Sequence, residues 1–139
     1  MENSLLSDLN EDVVSVEEIT NVVRDYIESC YEGDPERMAR SLHPALVKRT
    51  LMPHEVTNRP MIRVTSASQL IENIRGLGER GHVTPEEERR FDLTILDVFD
   101  DVATVKVYAD YWLDYIHLIK IDGSWKILNV LWRVYDWSE

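Results

Sequence analysis

The sequence predicts an α+β domain in which N-terminal helices sit on the concave face of a curved, cone-shaped antiparallel sheet. Three observations lead there. Apolar residues recur at helical spacing through the first half of the chain. Runs rich in Val, Ile, Tyr and Trp fill the second half. Asp122-Gly123 is a two-residue hairpin signal that joins the last two of those runs. Helices first and hairpin-linked strands afterwards means segregated layers, not alternating βα units.

The elements follow in order. Residues 1–14 are acidic and weakly apolar and read as an arm, with Leu5, Leu6 and Leu9 available for docking. Residues 15–137 read as a single domain, in keeping with a chain of 139 residues. Ser15 and Glu18 form a capping box. Ile19, Val22, Val23, Tyr26, Ile27, Cys30 and Tyr31 then mark one face of a helix that Gly33 stops. Asp34-Pro35 restarts it, and His43-Pro44 ends the second helix because a residue before proline avoids helical angles.

Residues 47–62 read as one short strand and a loop, broken by Pro53 and Pro60. Ser66 and Gln69 cap a third helix through Leu77, closed by Gly76, Gly78 and Gly81, and a charged loop follows. Residues 91–99 form a strand, and Asp100-Asp101 a turn. Residues 103–121 read as one long strand whose apolar alternation changes phase at Tyr111. A strand far beyond the usual ~5–6 residues must bend, so a β-bulge is expected at Asp110 or Tyr111. Residues 125–135 return as the last strand.

Composition bounds the function. Acidic residues outnumber basic ones, 26 to 15, for a net charge of −11, which disfavours phosphate backbones and anionic membrane surfaces as partners. The single cysteine, Cys30, forms no intrachain disulfide and suits a reducing compartment. No signal-peptide pattern opens the chain and no apolar run reaches the ~18 residues of a membrane span, so a cytoplasmic location is expected. His43, His54, His82 and His117 show no paired spacing, and glycine-rich phosphate loops are missing. Neither a metal nor a cofactor is therefore expected.

The last hairpin sorts the candidate site. If Asp122-Gly123 is a two-residue turn, Ile121 pairs with Ser124. Counting back puts Asp114 opposite Leu131 and Ile116 opposite Asn129. One face then carries Trp112, Asp114, Trp125, Asn129, Leu131 and Arg133, and reads as the cone lining. The other carries Tyr115, His117, Leu128, Val130 and Trp132. A one-residue slip would exchange the two sets and put Tyr115 and His117 inside.

Asp114 in an apolar cavity would have a raised pKa and could move protons, with Asn129 donating to a substrate oxygen. His43 is a second acid–base candidate near the cone mouth, although a histidine there can simply bond a helix carbonyl. Trp112, Trp125 and Tyr26 supply aromatic lining, and Arg49 is a candidate anchor for a carbonyl or anion. Each also has a structural reading, as core packing or a solvated charge. The outer face is apolar too and needs a cover, for which a second subunit is the simplest.

Two segments carry a resemblance. YIESCYEGDPERMARSLHPALVKR (residues 26–49) resembles the opening helices of the nuclear transport factor 2-like superfamily. ADYWLDYIHLIKIDGSWKILNVLW (residues 109–132) resembles the closing hairpin of its lumazine-binding branch. The resemblance spans about Ser15 to Trp132 and implies a cystatin-like cone, a hydrophobic pocket and often a homodimer packed through sheets. The superfamily holds ketosteroid isomerases, scytalone dehydratases and polyketide cyclases beside non-catalytic domains, so the fold alone chooses no activity. Three expectations stand: a binding protein for a small hydrophobic or aromatic molecule; an isomerase, dehydratase or cyclase using Asp114 with His43; or a non-catalytic dimerising module.

Overall fold

The computed structural model describes residues 2–135, with side chains from Asp12 onward. Three α-helices, α1 (Glu2–Glu32), α2 (Pro35–Ser41) and α3 (Ala67–Glu79), cover one face of a curved six-stranded sheet. The strands are β1 (Leu42–Pro53), β2 (Pro60–Ser66), β3 (Asp92–Phe99), β4 (Val102–Tyr108), β5 (Trp112–Ile121) and β6 (Ser124–Val134), in sheet order β2-β1-β6-β5-β4-β3. All neighbours are antiparallel except β1 and β6. The predicted α+β cone with helices on its inner face is therefore the fold. Its core joins Ile19, Val23, Tyr26 and Ile27 of α1 to Val105, Val107, Ile116 and Ile127 of the sheet, all fully buried.

Three features depart from the predicted elements. First, α1 runs on through Ser15, so Ser15–Glu18 is an internal turn and not a cap; the docking expected of Leu5, Leu6 and Leu9 lies outside the described side chains. Second, residues 47–62 hold most of a hairpin, β1 and β2, joined through residues 54–59 with Asn58 at a positive φ. Third, the expected long strand is two strands. The chain reverses at residues 109–111, where Ala109 N–H donates to the Trp112 carbonyl (2.8 Å), and β4 pairs antiparallel with β5. The phase change at Tyr111 marked the right place, but it signalled a turn and not a bulge.

Two stop signals are also displaced: α2 ends at Ser41 with His43-Pro44 inside β1, and Gly76 and Gly78 lie within α3 instead of closing it. Other signals act as predicted. Ser66 and Gln69 close a reciprocal capping box on α3. Asp34 caps α2, accepting from the Arg37 amide (3.1 Å). Asp122 and Gly123 have φ of 52° and 80°, the two positive values a type I′ turn needs, and Ile121 pairs with Ser124.

The helical layer is drawn together at one close contact. Gly33, at φ 66°, ends α1 and lies against Gly78 of α3. A Cβ added to Gly78 would stand 2.2 Å from the Gly33 carbonyl oxygen. Arg37 then ties α2 to α1, pairing with Asp25 (2.7 Å), Glu28 (2.9 Å) and Glu32 (2.8 Å). These contacts set where α3 sits above the sheet.

Candidate functional site

A cavity of about 640 Å³ opens between α1, α3, the loop at residues 82–88 and the sheet. Its sheet side is formed by Lys48, Trp112 and Trp132, and its helix side by Cys30, Leu70, Asn73, Ile74 and Leu77. Arg63, Tyr111 and the loop residues His82, Val83, Thr84, Pro85 and Glu88 complete the lining. Apolar and aromatic side chains share the walls with Lys48, Arg63, Asn73, His82, Thr84 and Glu88; Lys48 is half-buried, whereas Arg63, Asn73, His82 and Glu88 are exposed.

Three polar side chains gather at the base of this cavity. Lys48 points inward from β1, and its Nζ donates to the Tyr26 hydroxyl at 2.6 Å. The same ammonium lies 5.1 Å from the Tyr26 ring centroid and 5.3 Å from that of Trp132, within the range of cation–π attraction. Asp114 sits behind the lining with 0% of its surface exposed. Its Oδ2 accepts from Trp112 Nε1 (2.9 Å), and its Oδ1 has no hydrogen-bond partner among the described residues.

Burial lifts the Asp114 carboxyl to about 6, against the opposing pull of the Lys48 ammonium and the Trp112 N–H. Burial also raises the Tyr26 phenol well above its ordinary value, with the Asp114 charge adding to it. Cys30 is pushed up to about 11, mainly by burial, so it stays a thiol at neutral pH. Of these three side chains only Lys48 is in the cavity lining; the carboxylate lies one layer deeper, bonded to Trp112.

The predicted site residues divide between the two faces of the sheet. Trp112, Asp114 and Tyr26 turn inward as expected. Asn129 does not. The β5–β6 register follows the predicted count from the turn to Leu118–Ile127, then shifts, so that His117 faces Asn129 and Asp114 faces Trp132. Leu128 is the extra residue, a β-bulge, and beyond it every β6 side chain changes face. Asn129 therefore lies on the outer face, its Nδ2 3.5 Å from His117 Nδ1. Leu131 joins it there, 54% exposed, while Val130 and Trp132 turn inward.

His43, Arg49 and Trp125 are corrected too. His43 belongs to β1, where its Nδ1 accepts from the Ala45 amide (2.9 Å), and it does not line the cavity. Arg49 is exposed on the outer face opposite Leu131 and Val64, because β1 turns Leu46, Lys48 and Thr50 inward instead. Trp125 is buried in the core beside Glu18, Asn21 and Val22 of α1, away from the cavity lining. Tyr115 and His117 lie on the outer face, as the unslipped register had them. His117 and Asn129 line a separate groove there, about 340 Å³, with Phe99, Val102 and Leu128.

Sequence reasoning missed Lys48, Arg63, Asn73 and His82, and it gave Trp132 to the wrong face. For Lys48 the sequence was ambiguous: Leu46, Lys48 and Thr50 alternate with Val47, Arg49 and Leu51, both sets hold apolar residues, and only the fold shows that Leu46 and its set turn inward. For Arg63, Asn73 and His82 no local pattern existed, since their elements meet only in the folded chain. Among the described residues, no group of three or more His, Cys, Asp or Glu side chains could hold a metal ion. No helix of the described residues is long and apolar enough to cross a membrane.

The profile of the family described as putative lumazine-binding matches residues 14–133. Among curated proteins, none matches the chain by sequence. Solved structures do. A nuclear transport factor 2-like protein of unknown function from Silicibacter pomeroyi superposes with a TM-score of 0.68 at 17% identity, over 89% of this chain and 98% of that one. One from Methylobacillus flagellatus gives 0.67 at 21% identity, over 89% and 94%. A protein from Streptomyces avermitilis, described as a putative dehydratase of the nuclear transport factor 2-like family, gives 0.58 at 13% identity, over 90% and 99%. At these identities the likeness shows the fold.

Proposed function

From the premise that this chain belongs to the putative lumazine-binding family of nuclear transport factor 2-like domains, we propose that it binds a small, largely aromatic molecule in the cavity above Lys48. The observation that carries this reading is the cavity itself: about 640 Å³ with Trp112, Trp132 and Tyr111 in its lining. That volume suits a ligand of two or three fused rings, and the aromatic walls offer such a ligand flat surfaces to lie against.

Binding is tested with a panel of aromatic ligands, read as quenching of tryptophan fluorescence. The expected outcome is saturable binding by at least one fused-ring compound. Trp132→Ala should weaken it by about tenfold or more, the scale of a lost aromatic anchor. Saturable binding that Trp132→Ala leaves unchanged would place the ligand elsewhere and defeat the reading.

A second, enzymatic reading draws on one observation: Asp114 is fully buried and keeps an unbonded oxygen, and burial raises its carboxyl to about 6. In this reading Asp114 exchanges a proton with a bound substrate through Lys48, as in an isomerase, dehydratase or cyclase. Asp114→Asn should then abolish turnover of a ketone-type substrate while its affinity persists. We further propose that the outer sheet face packs against a second copy of the chain. The row formed by Tyr115, Leu131, Arg49 and Val64 crosses four strands, and three of these four residues are exposed apolar or aromatic side chains.

A further inference from the structure

The charge at the base of the cavity defines the kind of polar group a ligand can place there. Of the charged side chains in the lining, Arg63 and Glu88 are exposed, whereas Lys48 is half-buried and bonded to the buried Tyr26. An ammonium has three N–H donors, and one is spent on the Tyr26 hydroxyl. The rings of Tyr26 and Trp132 lie against the same ammonium, 5.1 and 5.3 Å from it. Lys48 is therefore held in place by a hydroxyl and two rings, with further N–H donors to offer.

Its charge is already answered. Asp114 lies behind it, sealed from water: it pairs in register with Trp132, whose ring centroid is 5.3 Å from the Lys48 ammonium. A ligand carboxylate beside Lys48 would bring a second negative charge into a base that holds one cation and one anion. The interior does not screen that excess as water does. A neutral acceptor oxygen takes the free Lys48 donor without disturbing the balance.

We infer that this cavity, read as a ligand site as above, selects flat aromatic carbonyl compounds, with the neutral carbonyl oxygen hydrogen-bonded to Lys48, and that Asp114 is the residue that excludes the corresponding carboxylates. Lys48 is the ligand-contacting donor, and Asp114 is a specificity residue that never touches the ligand. This assignment reverses the simplest expectation of a basic residue in a pocket, which is an anion site.

Three naphthalene probes test it, bearing a methyl ketone, a carboxylate or an ethyl group at the same ring position. Affinities for the full chain are measured by tryptophan quenching and confirmed calorimetrically at neutral pH. Wild type should bind the ketone about tenfold tighter than the ethyl compound, the scale of one charge-assisted hydrogen bond, and the carboxylate should bind weakest. Lys48→Met should bring ketone and ethyl within about twofold of each other, since the one donor is gone. Asp114→Asn should raise carboxylate affinity relative to ketone by about tenfold or more, because Lys48 then lacks a counter-charge.

Lys48→Gln is the second variant, in case Met disturbs the packing; it keeps a neutral donor and should retain part of the ketone preference. If wild type binds ketone and ethyl probes alike, with quenching intact, the inference is overturned while the pocket reading stands. A ketone-to-carboxylate ratio that Asp114→Asn leaves unmoved overturns the role of Asp114. If none of the three probes binds, the inference falls together with the pocket reading.

Discussion

A carboxylate shut away from water costs stability whenever it is ionised, and at Asp114 that cost carries a pH signature. Its folded-state pKa, about 6, lies above the ordinary 3.8. Between these values the folded chain holds a proton that the unfolded chain has released, so stability falls as pH rises through the window. The full penalty, roughly 3 kcal/mol for a shift of about two units, is present above pH ~6 and vanishes below pH ~4. Asp114→Asn, which keeps an acceptor for Trp112 Nε1, should therefore be more stable than wild type at pH 8, with the gain shrinking steadily toward pH 4. Urea midpoints for both proteins across that range are the measurement. Parallel curves would mean that this carboxyl does not titrate in the window.

The elements around the cavity depend on how closely α3 approaches the end of α1. At Gly78 the contact is backbone on backbone, and no side chain there could swing aside. Gly78→Ala should destabilise the domain by about 2 kcal/mol or more, since either helix must shift to admit the methyl group. It should also weaken ligand binding, because Leu70, Asn73, Ile74 and Leu77 of the same helix line the cavity. Gly76 makes the comparison clean. It lies in the same helix with nothing within 4 Å of an added Cβ. Gly76→Ala should be neutral or stabilising by up to about 1 kcal/mol, the helix-propensity gain. Thermal denaturation of the two variants separates a crowding effect from a propensity effect; equal shifts would remove the argument for a tight helix crossing.

For the molecule as a whole, the sheet is covered on one side only. The inner face meets three helices, whereas the outer face leaves Leu131 54%, Tyr115 44% and Phe99 70% exposed. A second copy packed across this face would cover the row from Tyr115 to Val64 and leave the cavity mouth, on the helical side, open. Sedimentation velocity should show a dimer. Leu131→Glu should convert it to a monomer, since a charge at the centre of an isologous contact appears twice. Aromatic ligands should still bind the monomer. A wild-type chain that sediments as a monomer at every accessible concentration would remove the proposal.

The sequence by itself determined the helix-then-sheet order, the α3 capping box, the Gly33 stop and the Asp122-Gly123 turn. Each of these is a property of a few neighbouring residues, set by local dihedral preference or hydrogen bonding. It also placed Asp114 and Trp112 inside, because both lie on β5, whose buried side alternates regularly: Trp112, Asp114, Ile116, Leu118. Only the tertiary structure decided what joins them. The reversal at residues 109–111 has Asp110 as its one turn-favouring residue, and the bulge at Leu128 has none. They exist because curving the sheet around three helices favours a turn at one place and an extra residue at the other. A bulge of one residue moves each later side chain to the opposite face, and so Asn129 left the cavity while Trp132 entered it. Lys48 met Asp114 for a similar reason: β1 lies beside β6 in a parallel pairing between distant parts of the chain, which no local pattern encodes.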